Sequence, residues 1–233
     1  MIDFYSKPCY SFEDLVSLVR ILRAPDGCPW DSVQTHDSIR RNFIEEVYEA
    51  CEAIDAKDPD NLKEELGDVL LHVVFHADIE ADAGRFTIDD VCDFVVKKMI
   101  SRHPALFGGD ATLDWDEIKR REKGQTSLSD ELDSVAKSLP ALWRAEKLQK
   151  KAEKAGHTIT RQSCDPSTDT SDPLRAVGDK LFDTVRLARE LGVDPEQALH
   201  HSCDAFLAKV RKEENGQDIP KLQAEASAQY VKE

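Results

Sequence analysis

The sequence predicts an all-α protein, an antiparallel helix bundle. Ala, Glu, Leu and Lys are plentiful, while strand-favouring runs of Val, Ile and Thr are scarce. Apolar residues recur at helical spacing between short segments rich in Gly, Pro and Asp. Of 233 residues, 40% are hydrophobic and 33% charged, which suits a folded chain of one large domain or two small ones.

Ser11, with Asp14 three residues on, fits a capping box, and Leu15, Leu18, Val19 and Leu22 form the stripe of a first helix. Asp26-Gly27-Cys28-Pro29-Trp30-Asp31 reads as loop. A second helix is expected from about Thr35 to Ala56, and Lys57-Asp58-Pro59-Asp60 is a turn in which Asp60 is a candidate cap. A third runs from about Asn61 to Ala83, with Leu62, Leu66, Val69, Leu70, Val73 and Val74 on its stripe and Gly84 ending it. Thr87 and Asp90 open a fourth, to about Ser101, which His103-Pro104 stops. Gly108-Gly109 marks a loop, and Trp115 to Lys123 a short helix. Ser134 to Lys154 reads as one charged helix. Residues 156–173, rich in Ser, Thr and Asp, read as a linker. Helices from about Leu174 to Leu191 and Pro195 to Lys212 form a further unit, with a tail from Pro220. The expected organisation is 1–155, a linker at 156–173, and 174–233.

Lys and Arg total 31 against 46 Asp and Glu, a formal charge of −15, which disfavours binding a nucleic acid polymer. A small polyanion remains possible if a divalent metal neutralises it. The six cysteines are spread out without a CxxC pair and read as reduced thiols. The start has no basic, apolar leader, and no window reaches the roughly 18 apolar residues of a membrane span. The expected location is cytoplasmic.

The chemistry concentrates in Glu45-Glu46-Val47-Tyr48-Glu49 and Glu65-Leu66-Gly67-Asp68. Glu46 and Glu49 share one helical face, as do Glu65 and Asp68. Folding the chain back near residues 57–58 sets Glu49 opposite Glu65 and Glu46 opposite Asp68. Four carboxylates on one patch require a counterion, and hard oxygen ligands suit Mg²⁺ or Mn²⁺. Such ions could position a water and neutralise a leaving pyrophosphate. The bland alternative is a solvated acidic face. Glu45 is either a further ligand, a water-orienting group, an i,i+4 partner or a surface acid. Gly67 sits mid-helix, for close approach or as a tolerated weakness. His72 and His76 stand four apart with no third zinc ligand in view, and read as packing or water-linked groups beside the acids.

These motifs resemble those of the MazG family of nucleoside triphosphate pyrophosphohydrolases. The pattern EExxE then ExxD is met by Glu45-Glu46-x-x-Glu49 and Glu65-x-x-Asp68, and the GCPWD segment by Gly27 to Asp31. Gly84-Arg85-Phe86, Arg102-His103-Pro104, Ser138-Leu139-Pro140-Ala141-Leu142 and Ala145-x-Lys147-x-Gln149-Lys150 also match. The resemblance implies a dimeric helical bundle that hydrolyses nucleoside triphosphates to monophosphate and pyrophosphate by metal-activated water. It implies Mg²⁺ on Glu46, Glu49, Glu65 and Asp68, with Glu45 orienting water or a ligand. Trp30 is a candidate for stacking on a base or for a loop anchor packed on the core. Arg102 and Lys119 are candidates for phosphate contact or ordinary ion pairs.

The further unit departs from the two-domain pattern. A weak internal echo lays residues 64–71 over 175–182, which puts Ala176 and Asp179 where the first unit has Glu65 and Asp68. No EExxE precedes them, and Gly-Phe-Asp-Trp is replaced by Gly156-His157-Thr158-Ile159. The expectation is a catalytic domain at 1–155 and a degenerate, non-catalytic unit at 174–233. The alternative in a different class is a nucleotide-sensing or dimeric scaffold protein without catalysis.

Overall fold

A computed structural model describes residue 4 and residues 6–108, 115–157 and 172–215, and every regular element among them is a helix. The chain divides into two compact units, Met1–Leu113 and Asp114–Glu233. Compactness thus changes hands ahead of the polar stretch at 156–173, because the helix before that stretch packs on the helix after it. Residues 158–171, the tail from Pro220, and Gly109 lie outside the described residues.

In the first unit, α1 (Phe12–Arg23) starts at the Ser11–Asp14 capping box. Helix α2 (His36–Ala56) is capped by Thr35, whose side chain accepts from Ser38 N–H. Lys57, in the left-handed conformation at φ 55°, turns the chain into α3 (Pro59–Asp82). The cap of α3 is Asp58, not Asp60: its carboxylate accepts from the N–H groups of Asp60 and Asn61. Pro59 takes the first helical position, where its missing N–H costs nothing, so α3 begins two residues before Asn61. Thr87 and Asp90 open α4 (Ile88–Ser101), and Pro104, rather than only stopping α4, starts the single turn α5 (Pro104–Phe107).

The core joins Val19 of α1, Ile39 of α2, Val74, Phe75 and Ala77 of α3, and Ile88 of α4. Removing each large apolar chain from water contributes about 1.5–3 kcal/mol. The buried Ala50 and Ala53 leave little bulk between α2 and α3, which pack along their length. Arg23 fastens α1 to α3, donating to Asp78 at 2.8 Å and Asp82 at 2.5 Å while its guanidinium lies over the Phe75 ring. After α1 the chain turns tightly: Gly27 N–H donates to Ala24 O and Cys28 N–H to Leu22 O, both at 2.8 Å.

The second unit holds α6 (Trp115–Glu122), α7 (Leu128–Asp133), α8 (Ala141–Lys154), α9 (Pro173–Glu190) and α10 (Pro195–Asn215). The single helix expected over Ser134 to Lys154 is shorter. Pro140 lacks the N–H that continues a helix and biases its predecessor to extended backbone, so α8 starts at Ala141. The turn before it contains α7, opened by a capping box of Ser127 and Asp130. Gln149 of α8 is fully buried, and its amide donates to Phe182 O of α9 at 2.8 Å. Trp143 Nε1 donates to Asp194, whose carboxylate also caps α10. The five described cysteines, Cys9, Cys28, Cys51, Cys92 and Cys203, are free thiols. No described helix is long and apolar enough to cross a membrane.

Candidate active site: carboxylates between two antiparallel helices

The Lys57 turn and the small residues between α2 and α3 bring acids from both helices together. One carboxylate oxygen each from Glu46, Glu49 and Glu65 lie within 4.8 Å of one another. Asp68 is outside this triple, yet its charge acts on both Glu46 and Glu65. Burial, then the charges of Asp68 and Glu49, push the Glu46 carboxyl above the usual range. Glu65 is raised by burial and then by the charges of Glu49, Glu64 and Asp68. Such a set strains against its own charge and offers only hard oxygen donors, which fits Mg²⁺ or Mn²⁺.

The sign of this strain gives a testable outcome. A carboxyl whose folded value is raised contributes stability below its unfolded value and loses it as pH rises through the folded value. At neutral pH without metal, the ionised cluster therefore opposes folding. Glu46→Gln and Glu65→Gln are each expected to melt a few degrees higher than wild type in EDTA, and to gain less from added Mg²⁺. Variants that melt lower in EDTA would contradict this reading of the cluster.

A ladder of polar residues continues along α3 from Asp68 at four-residue steps: His72, His76 and Glu80. His72 Nε2 stands 4.0 Å from Glu46, beyond direct hydrogen bonding, and burial holds His72 below its usual value against the opposing charge of Asp68. Its Nδ1 is buried without a hydrogen-bond partner. Phe43 of α2 packs on both rings, with centroids 5.8 Å from His72 and 5.6 Å from His76. His76 Nδ1 lies 2.7 Å from His36 Nδ1, so the two rings share one proton there. His36 Nε2 lies 2.5 Å from Glu80. Burial, then the charges of His36 and His72, hold His76 below its usual value.

Arg85, just beyond α3, forms a fork on Glu80, with its second nitrogen at 2.7 Å. The hydrogen bonds of Arg85, then that of His36, pull the Glu80 carboxyl from 4.5 to about 2. A depressed carboxyl contributes its stability above the unfolded value and loses it as pH falls through the folded one. The contribution of Glu80 should therefore fade between about pH 4.5 and 2. In thermal melts over that window, wild type should lose more stability than Glu80→Gln; parallel profiles would refute the assignment.

Glu45 is exposed and accepts from Arg41 Nε at 2.8 Å, an ion pair one turn back on α2. Trp30 is 59% exposed, and its backbone O accepts from Gln34 Nε2 at 2.8 Å. Arg102 is the C-cap residue of α4. Lys119 belongs to α6 of the second unit. A Cβ on Gly67 would meet no atom within 4 Å, so packing does not require glycine there. In the second unit Asp179 pairs with Arg175 at 3.7 Å, and Glu46, Glu49 and Glu65 form the one such acidic group found among the described residues. Sequence reasoning missed His36, Phe43 and Glu80; for Glu80 the four-residue steps from Asp68 were the available signal, while His36 and Phe43 come from α2.

Residues 34–107, which span α2 to α5 and all four acids, match the MazG nucleotide pyrophosphohydrolase domain. The nucleoside triphosphate pyrophosphohydrolase/pyrophosphatase MazG of Thermotoga maritima is 41% identical, over 87% of this chain and 85% of the relative. The nucleoside triphosphate pyrophosphohydrolase of Escherichia coli K12 is 34% identical, over 86% of each chain. YabN of Bacillus subtilis, an uncharacterised protein, is 44% identical over 84% of this chain but only 45% of its own length. With this likeness running far beyond the acidic helices, the chain belongs to the MazG family of nucleotide pyrophosphohydrolases.

Proposed function

We propose that this protein hydrolyses nucleoside triphosphates to the monophosphate and pyrophosphate, using Mg²⁺ with Mn²⁺ as a substitute. The observation that carries the proposal is the meeting of Glu46, Glu49 and Glu65 oxygens within 4.8 Å, in a chain of this family. Glu46, Glu49, Glu65 and Asp68 would hold the cation, which when bound supplies charge neutralisation and acidifies a water. His72 backs Glu46 from the buried side, and the His76–His36–Glu80–Arg85 chain fixes the lower part of α3 against α2. Glu45, beside Glu46 and held by Arg41, orients the attacking water or a ligand. The exposed Trp30 stacks on the base, and Arg102 meets phosphate. In this reading residues 174–233 form a degenerate, non-catalytic unit.

The protein acts as a homodimer in the cytoplasm in this reading. Ile44, Val47 and Tyr48 of α2 and Leu66 and Leu70 of α3 remain exposed beside the acids, an apolar surface that a second copy would cover. Nucleic acid polymers and membranes are not its partners.

The test is product analysis on the canonical ribo- and deoxyribonucleoside triphosphates, with Mg²⁺ and with excess EDTA. Metal-dependent monophosphate plus pyrophosphate is the expected result. Release of orthophosphate would overturn the proposal in favour of a different phosphohydrolase, and no turnover of any substrate would overturn it in favour of a nucleotide sensor or scaffold.

A further inference from the structure

The second unit contains a basic cavity that the acidic composition gives no reason to expect. Its volume is about 770 Å³, within the range of small-molecule sites. Seven basic side chains and two carboxylates line it, a formal excess of five positive charges on a chain whose net charge is −15. Lys147, Lys150, Lys151 and Lys154 come from one face of α8, opposite the face that buries Gln149. Lys119 and Arg120 of α6, and Lys123 just after it, face them from a different segment.

The two acids do not neutralise this set. Asp116 is engaged by Lys154, and the charges of Lys119 and Lys151 help hold its carboxyl below the usual range. Glu131 stands 3.7 Å from Lys151 and 3.9 Å from Arg120, which Glu117, outside the lining, engages more closely. Lys123, Lys147 and Lys150 have no carboxylate within ion-pair distance among the described residues. Lys151 and Lys154 lie in the last turn of α8, where the helix dipole favours cations. That dipole does not account for Lys147, or for the cations brought in from α6. Val135, Leu139 and Ala155 add an apolar wall.

We propose that this cavity binds an oligophosphate anion without a divalent cation: free inorganic triphosphate, or the phosphate chain of a nucleotide. Lysines are compact point charges suited to phosphate oxygens, and several of them converging on one concavity match several linked phosphates better than one carboxylate. A concave site of this size suits a small molecule rather than a polymer. The inference does not rest on the hydrolytic activity proposed above.

The experiment is titration calorimetry on full-length Glu49→Gln protein in EDTA, which removes both the cation and one member of the acidic cluster. Inorganic tripolyphosphate and ATP are titrated separately at low and high NaCl. Saturable binding is expected, weaker at high salt and about tenfold weaker when Lys147 and Lys150 are both changed to Gln. Lys123→Gln, outside α8, should also weaken it and guards against a local folding defect. Tighter ATP binding would identify a nucleotide held partly by the apolar wall; equal or weaker binding would identify the inorganic ion. No saturable binding, binding unchanged by these variants, or binding confined to a single-stranded RNA oligonucleotide would each overturn the proposal. Absence of Mg²⁺-dependent hydrolysis by the wild-type protein, with this binding intact, would reject the proposed activity alone.

Discussion

Glu49→Ala should lower kcat/KM for nucleoside triphosphate hydrolysis by about 10³-fold, the scale of losing one preorganised electrostatic partner of the transition state. Glu49 is the residue of α2 whose charge acts on both Glu46 and Glu65. Its removal leaves two of the three converging oxygens and opens the end of the cluster nearest the turn. The loss should persist at saturating substrate, because the missing group acts on charge that develops during reaction rather than on the bound nucleotide alone. The matched control is Glu52→Ala on the same helix, outside the triple, which should stay within about twofold of wild type. Melting in EDTA separates chemistry from folding, since removing a repelling carboxylate should not destabilise the metal-free chain. A Glu49→Ala enzyme with wild-type turnover would remove the acidic cluster from the mechanism.

The largest effect on stability is expected at Gly27. A Cβ placed there would sit 2.2 Å from Ile21 O, 2.6 Å from Leu22 O and 2.9 Å from Leu22 C. All three atoms are backbone at the end of α1, so no side chain can swing aside. The same turn carries the hydrogen bonds from Gly27 N–H to Ala24 O and from Cys28 N–H to Leu22 O, and any retreat of the chain strains them. Gly27→Ala should cost about 3 kcal/mol, at the upper end of overpacking penalties. Gly67→Ala makes a telling counterpart. Gly67 lies within α3 with open space around the added methyl, and the change should stabilise by about 0.5–1 kcal/mol. Thermal melts of the two variants in EDTA should move in opposite directions. Equal melting of Gly27→Ala and wild type would show that the turn after α1 has room to open.

The local chemistry of helix ends was legible in the sequence. The Ser11–Asp14 and Thr87–Asp90 boxes and the Thr35 start are where side-chain spacing put them, because a capping bond spans only three residues. Where local signals competed, they misled. Asp58 and Asp60 are both plausible caps, and Pro59 at the first helical position decides for Asp58. The strong helical composition around Ser134 hid the break that Pro140 imposes.

By itself, the sequence determined the all-helical class, the four acids at three-residue spacing and the family, since each is written in short-range pattern or in extended likeness to relatives. Only the tertiary structure decided which groups meet. It closed Glu46, Glu49 and Glu65 into one triple with Asp68 beside it, and joined His36 to His76 and Glu80 across 40 and 44 residues. It also gathered the lysines of α6 and α8 around one cavity. The physical reason is the same in each case. Caps and helical faces are fixed by bonds between near neighbours, whereas contacts between helices depend on how small residues such as Ala50 and Ala53 let two backbones approach, a property of packing that no single segment contains.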